Sequence, residues 1–131
     1  MTEERLVYVC SPNKHAELTR EITWQIENCA KDGRKFRVLS AITHTPQDMG
    51  PRAIFQRNRD LIAQAPYFLA VLKDYGKDLA AGVGLAFGSG RIMAALDYGA
   101  DQADIMVYFA FDDDRMLKPY DLTNLIYRWL S

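Results

Sequence analysis

Tyr67-Phe68-Leu69-Ala70-Val71-Leu72 is an unbroken run of six apolar residues, closed by Pro66 on one side and Lys73-Asp74 on the other. Its length and its aromatic and β-branched content suit a strand. No polar residue alternates within it, so both of its faces are buried, as in a parallel strand inside an α/β sheet. Toward the N-terminus, Ala53 to Ala65 carries Ile54, Leu61 and Ile62 at helical spacing, and Pro66 ends that helix. A loop with Pro46, Gly50 and Pro51 precedes it, and before the loop Phe36 to Ile42 reads as a strand. Leu18, Ile22, Ile26 and Cys29 lie on one face of a helix predicted to stop at Asp32-Gly33. Leu6 to Cys10 is a short apolar strand that runs into the turn Ser11-Pro12-Asn13.

Toward the C-terminus, Lys73 to Ala81 reads as a polar loop. The stretch Gly82-Val83-Gly84-Leu85-Ala86-Phe87-Gly88-Ser89-Gly90 reads as a glycine-rich turn opening a helix through Arg91 to Leu96 that ends near Gly99. Asp104 to Phe111 is predicted as a strand, Asp112 to Asp114 as a turn and Leu122 to Leu130 as a final helix. Strands thus alternate with helices. The expected architecture is a single Rossmann-like α/β domain over residues 1–131, three layers deep. It has a four- or five-stranded parallel sheet with helices on both faces. In such sheets a ligand lies at the carboxyl ends of the strands. There Cys10 to Lys14, the loop after Leu72 and the residues after Ile42 should converge.

Composition narrows the function. The chain has 131 residues, 49% hydrophobic and 25% charged, which excludes a disordered or collagen-like polymer. Sixteen Lys and Arg against 17 Asp and Glu leave a net charge of -1, so an extended nucleic-acid footprint is not expected. The acidic start MTEERLVYVC is unlike a signal peptide, and no apolar run is long enough to span a membrane. These features point to a cytoplasmic protein, with Cys10 and Cys29 as buried thiols.

The candidate site residues admit two readings each. Gly82, Gly84, Gly88 and Gly90 either let two elements pack closely or expose backbone N–H groups to an anionic ligand. The run lacks the Gly-Lys-Ser/Thr of a P-loop and fits a dinucleotide fingerprint poorly. Ser11, Asn13 and Lys14 either cap a helix or hold a phosphate. His15 and His44 have no metal-ligand spacing, and no metal or cofactor is expected. Arg52, Arg57 and Arg59 read as a solvated helix face, and Trp24 and Trp129 as core or interface aromatics.

Val7-Tyr8-Val9-Cys10-Ser11, the stretch Arg57 to Leu72, and Gly82-Val83-Gly84-Leu85-Ala86-Phe87-Gly88 resemble the nucleoside 2-deoxyribosyltransferase superfamily, near its 2'-deoxynucleoside 5'-monophosphate N-glycosidases. The resemblance implies cleavage or transfer of the N-glycosidic bond of a 2'-deoxynucleoside or its 5'-monophosphate through a Glu nucleophile, and so hydrolase or transferase chemistry. A carboxylate suits that reaction because departure of the base leaves a sugar cation. The resemblance assigns Tyr8 a place beside the nucleophile. It places Cys10, Ser11 and Lys14 around the 5' group and gives Gly82 and Gly84 the positions before the nucleophile. It assigns Asn58, or Asp60 if the helix slips by two, to the acid of the preceding helix. Asn124 matches a residue contributed across a subunit interface, which implies a homo-oligomer, with a homodimer as the simplest form.

The chain departs from the pattern at two places. Ala86 stands at the nucleophile position, and Ala80 stands where an Asp or Ser contacts the substrate. With Ala86 there, the expectation is a chain inactive by that route, through an introduced or a natural loss. Asp78 replaces the loop acid only if that loop is rebuilt. The alternative is a non-catalytic nucleotide-binding or sensing module.

Overall fold

The computed structural model describes residues 2–131. Its strands are β1 (Glu3–Cys10), β2 (Ala30–Lys31), β3 (Arg34–Leu39), β4 (Tyr67–Leu72), β5 (Ile92–Asp97) and β6 (Met116–Leu117). Its helices are α1 (Ala16–Glu27), α2 (Ala41–His44), α3 (Pro51–Gln64), α4 (Lys77–Gly88), α5 (Ile105–Tyr108) and α6 (Leu122–Trp129). The strands form one sheet in the order β2-β3-β1-β4-β5-β6. Every neighbouring pair is parallel except β2 with β3. The expected α/β three-layer class is therefore observed. The strand count rises to six because two-residue strands extend both margins.

The period of two along the central strands divides the core. Val7, Val9, Leu69 and Val71 face a layer made by α1 and α6, where Ile22, Ile26, Leu125, Ile126 and Trp129 cover them. Tyr8, Cys10, Phe68, Ala70 and Leu72 face the opposite layer of α3, α4 and α5. Both faces of β1 and β4 are thus covered. Full burial of a side chain such as Phe68 or Leu69 is worth roughly 2–3 kcal/mol over leaving it in water, and a one-residue slip would forfeit it on both faces.

Several segments differ from their sequence reading. Arg91 to Leu96 is not a helix: from Ile92 it lies in β5, paired with β4 from Tyr67↔Ile92 to Leu72↔Asp97. Ala94, Ala95 and Leu96 are good helix formers, but their complete burial between two layers outweighs propensity. Lys73 to Ala81 and the glycine run are not a loop and turn. From Lys77 they form α4, because Leu79, Val83 and Ala86 make a continuous buried stripe. Asp104 to Phe111 is not a strand. It contains α5, and Ile105, Met106 and Phe109 stay exposed beyond the reach of the sheet.

Two turns set boundaries. α1 ends at Glu27 rather than running to Asp32-Gly33. Asp32 (φ 52°) and Gly33 (φ 75°) instead form the two-residue turn of a β2–β3 hairpin, the geometry that Asp-Gly favours. The Glu27 carboxylate accepts a hydrogen bond of 2.9 Å from the Val38 N–H, on the stretch of β3 beyond the reach of β2. α4 ends in a Schellman turn. The Gly90 N–H donates to the Phe87 carbonyl (3.1 Å) and the Arg91 N–H to the Ala86 carbonyl (3.1 Å), with Gly90 at φ 70°.

Candidate functional site

From β1 the chain crosses through α1 to β3 on one side, and from β3 through α3 to β4 on the other side of β1. Connections that leave in opposite directions part the loops above the carboxyl ends of β1 and β4. An open cleft of about 1020 Å³ lies there. The three segments expected to converge do so. Cys10 to Lys14, Asp74 to Lys77, and Ala41 with Gln47 all line it. α3 supplies Asn58 and Arg59, and α4 supplies Asp78, Gly82 and Leu85.

The floor is formed by Tyr8 and Cys10. Tyr8 is buried with its ring stacked on Phe68, centroids 5.9 Å apart. Burial pushes the Tyr8 phenol well above its ordinary range, and Cys10 adds to this at alkaline pH once its own thiol ionises, although a hydrogen bond with the Ala41 backbone partly offsets the rise. The phenol thus remains a neutral hydrogen-bond donor. Burial pushes the Cys10 thiol up to about 12, with the Asp78 carboxylate adding to the shift. Both cysteines are buried, as read from sequence, and Cys10 opens onto the cleft as a protonated thiol, not a thiolate.

The first turn is tied inward and across. The Ser11 and Thr19 hydroxyls are hydrogen-bonded, and Thr19 also donates to the His15 carbonyl (3.0 Å). The Asn13 amide donates to the Gln47 side chain (3.3 Å), joining the loops after β1 and β3. His15 Nε2 stands 3.3 Å from the Asp74 carboxylate, joining the loops after β1 and β4. Lys14 remains exposed at the rim.

The buried Thr45 hydroxyl, just past α2, donates to Asn58 Oδ1 on α3 at 2.6 Å. That bond occupies the amide oxygen and leaves the Asn58 NH₂ as the group available to a ligand. Arg59 lies 6.0 Å from the centroid of the exposed Phe55 ring, so a cation and an aromatic face stand together on one wall.

Tyr8, Cys10, Ser11, Lys14, Asn58 and Gly82 are therefore brought to one cleft. Asp60, Gly84, Ala86 and Asn124 are not among its lining residues. Asp60 and Gly84 point to solvent, with Asp60 3.4 Å from Arg59. Ala86 has no exposed surface and packs between α4 and the sheet. Asn124 is exposed on α6, in the layer on the far side of the sheet. Trp24 is exposed on the same layer, whereas Trp129 is core. Among the described residues no group of three His, Cys, Asp or Glu has metal-site geometry, and no helix is long and apolar enough to cross a membrane.

The sequence reading of a loop over Lys73 to Ala81 and a turn from Gly82 misses the helical phase by which α4 lines the cleft. The usable signal was phase: Asp78, Gly82 and Leu85 recur at four and three residues, offset by one from the buried Leu79, Val83 and Ala86.

No protein-family model matches this sequence. No curated protein matches it either. Among solved structures, a 2-desoxiribosyltransferase from Leishmania mexicana superimposes with a TM-score of 0.67 at 15% identity, covering 94% of this chain and 96% of the other. The chain has the nucleoside 2-deoxyribosyltransferase-like fold, with nearly the whole of both chains in common.

Proposed function

We infer that the cleft binds a 2'-deoxynucleoside or its 5'-monophosphate, and that the chemistry it serves is cleavage or transfer of the N-glycosidic bond. The convergence of Tyr8, Cys10, Ser11, Lys14, Asn58 and Gly82 at the switch point carries this reading. Lys14 suits a 5'-phosphate, Asn58 a ligand acceptor, and the Phe55–Arg59 wall the face of a base. A near-neutral chain is compatible with a site that holds one nucleotide through a few local donors.

One observation favours a second reading, in which the domain binds or senses a nucleotide without transforming it. Position 86 holds a buried alanine, so no nucleophile acts from there. Calorimetric titration with the four 2'-deoxynucleosides and their 5'-monophosphates, paired with chromatographic assay of free base, separates the readings. Binding with base release supports the first, and binding alone supports the second. No binding at millimolar ligand removes both.

We further propose that the protein is cytoplasmic and works as a homodimer or higher homo-oligomer in which Asn124 of one copy reaches the cleft of another. Asn124 lies outside its own cleft, and its layer exposes Trp24. Light scattering that finds only monomer at all concentrations removes this role for Asn124.

A further inference from the structure

We propose that Asp78 is the carboxylate this cleft presents to the sugar of its ligand, and that it makes the domain a working glycosidase despite Ala86. The inference rests on the deoxynucleoside reading of the cleft.

The argument begins with helical phase. α4 has one stripe turned to the sheet (Leu79, Val83 and Ala86) and an adjacent stripe turned to the cleft (Asp78, Gly82 and Leu85). A carboxylate at 86 would leave its helix toward the packed layer, whereas the carboxylate at 78 leaves toward the open volume. Gly82 lies one turn further along, where the missing side chain lets α4 close on Cys10 at the end of β1 and so brings this stripe of the helix against the cleft floor.

Charge accounting singles out the same residue. The acids lining the cleft are Asp74 and Asp78. Asp74 has the His15 ring beside it, Nε2 to carboxylate 3.3 Å, a contact that forms no hydrogen bond and attracts only a protonated imidazole. Among the described residues Asp78 has no ion pair or side-chain hydrogen bond, and its charge still reaches the Cys10 thiol on the floor. It lies in the first turn of α4, where the unpaired backbone N–H groups of a helix start favour an anionic side chain. A carboxyl group facing a cleft with no side-chain partner is what a reaction through a sugar cation requires.

The step balances without a cofactor. An Asp78 oxygen bonds to the anomeric carbon as the bond to the base nitrogen breaks, and that electron pair leaves with the base. The base takes a proton from solvent. Water then attacks the anomeric carbon, its hydroxyl stays on the sugar, its proton returns to solvent, and Asp78 is released as carboxylate.

The test compares the intact protein with Asp78→Asn, an isosteric change at an exposed position. The parent should release base from at least one 2'-deoxynucleoside or 5'-monophosphate. Asp78→Asn should lower that rate by about 100-fold or more while changing ligand affinity by less than about threefold. Acid-quenched parent should carry a deoxyribosyl adduct on the peptide containing Asp78, a measurement that does not depend on the variant folding. Binding without base release by the parent, or equal turnover by Asp78→Asn, overturns the proposal and leaves the binding reading intact. Absence of binding to any of these ligands overturns both.

Discussion

A β-carbon added at Gly82 would stand 3.0 Å from the Cys10 Sγ, so the middle of α4 and the end of β1 approach as closely as they do because residue 82 has no side chain. Alanine there gains helix propensity, about 1 kcal/mol over glycine, and loses part of it to crowding against sulfur. In a Cys10→Ala background the crowding is gone. Gly82→Ala should therefore stabilise the Cys10→Ala protein by about 0.5–1 kcal/mol more than it stabilises the parent. Urea unfolding of the four proteins measures this coupling, and additive effects would show that the contact carries no strain.

Gly90 closes the Schellman turn at a left-handed φ of 70°. Gly90→Ala should cost about 1–2 kcal/mol, seen as a lower urea midpoint with unchanged slope. No atom lies near its would-be β-carbon, so the loss is one of backbone conformation alone.

Ala86→Glu should destabilise the fold by several kcal/mol, because its carboxylate would enter a layer with no exposed surface and no partner. Thermal unfolding reads the effect. A variant as stable as the parent would mean that α4 turns this position outward.

Alkaline pH should weaken the fold through Cys10. Its thiol moves from 9.0 to about 12 in the folded state, so the folded protein holds a proton that the unfolded chain gives up. The associated stability is complete below pH about 9 and is lost as pH rises toward about 12, at up to about 1.4 kcal/mol per pH unit. Tyr8 adds a loss of the same sign at higher pH. Urea midpoints across this range should fall with pH, and Cys10→Ala should flatten the slope.

Thr45→Val removes the donor that occupies Asn58 Oδ1. The freed amide can rotate, and a ligand acceptor loses a fixed partner. Affinity for a 5'-monophosphate should fall by about three- to tenfold, with a stability loss of about 1 kcal/mol. Equal affinity in both proteins would place Asn58 outside recognition.

Elements buried on two faces were legible in the sequence. Leu6 to Cys10 and Tyr67 to Leu72 are continuous apolar runs because each is covered by helices above and below. β5 was not legible, since its small helix-forming residues follow glycines that suggest a turn, and only the facing layers hold them extended. α4 was hidden by the same glycines, and with it the phase that separates Asp78 from Ala86. The turn after β1 was legible as a site because its position follows from strand order alone. The Thr45 bond to Asn58 and the approach of His15 to Asp74 were not, since each joins segments distant in sequence.

The margins of the sheet have a consequence for behaviour at high concentration. On one side, β3 is covered by the two residues of β2, and beyond them the Val38 N–H is taken by Glu27. On the other, β6 is only two residues long. Neither rim offers a long ladder of free N–H and C=O groups to an incoming strand. Copies of this domain are thus denied growth into continuous intermolecular sheets or fibrils by edge pairing. Any assembly they form must join through side chains on the helical layers, which leaves it free to dissociate without unravelling the fold.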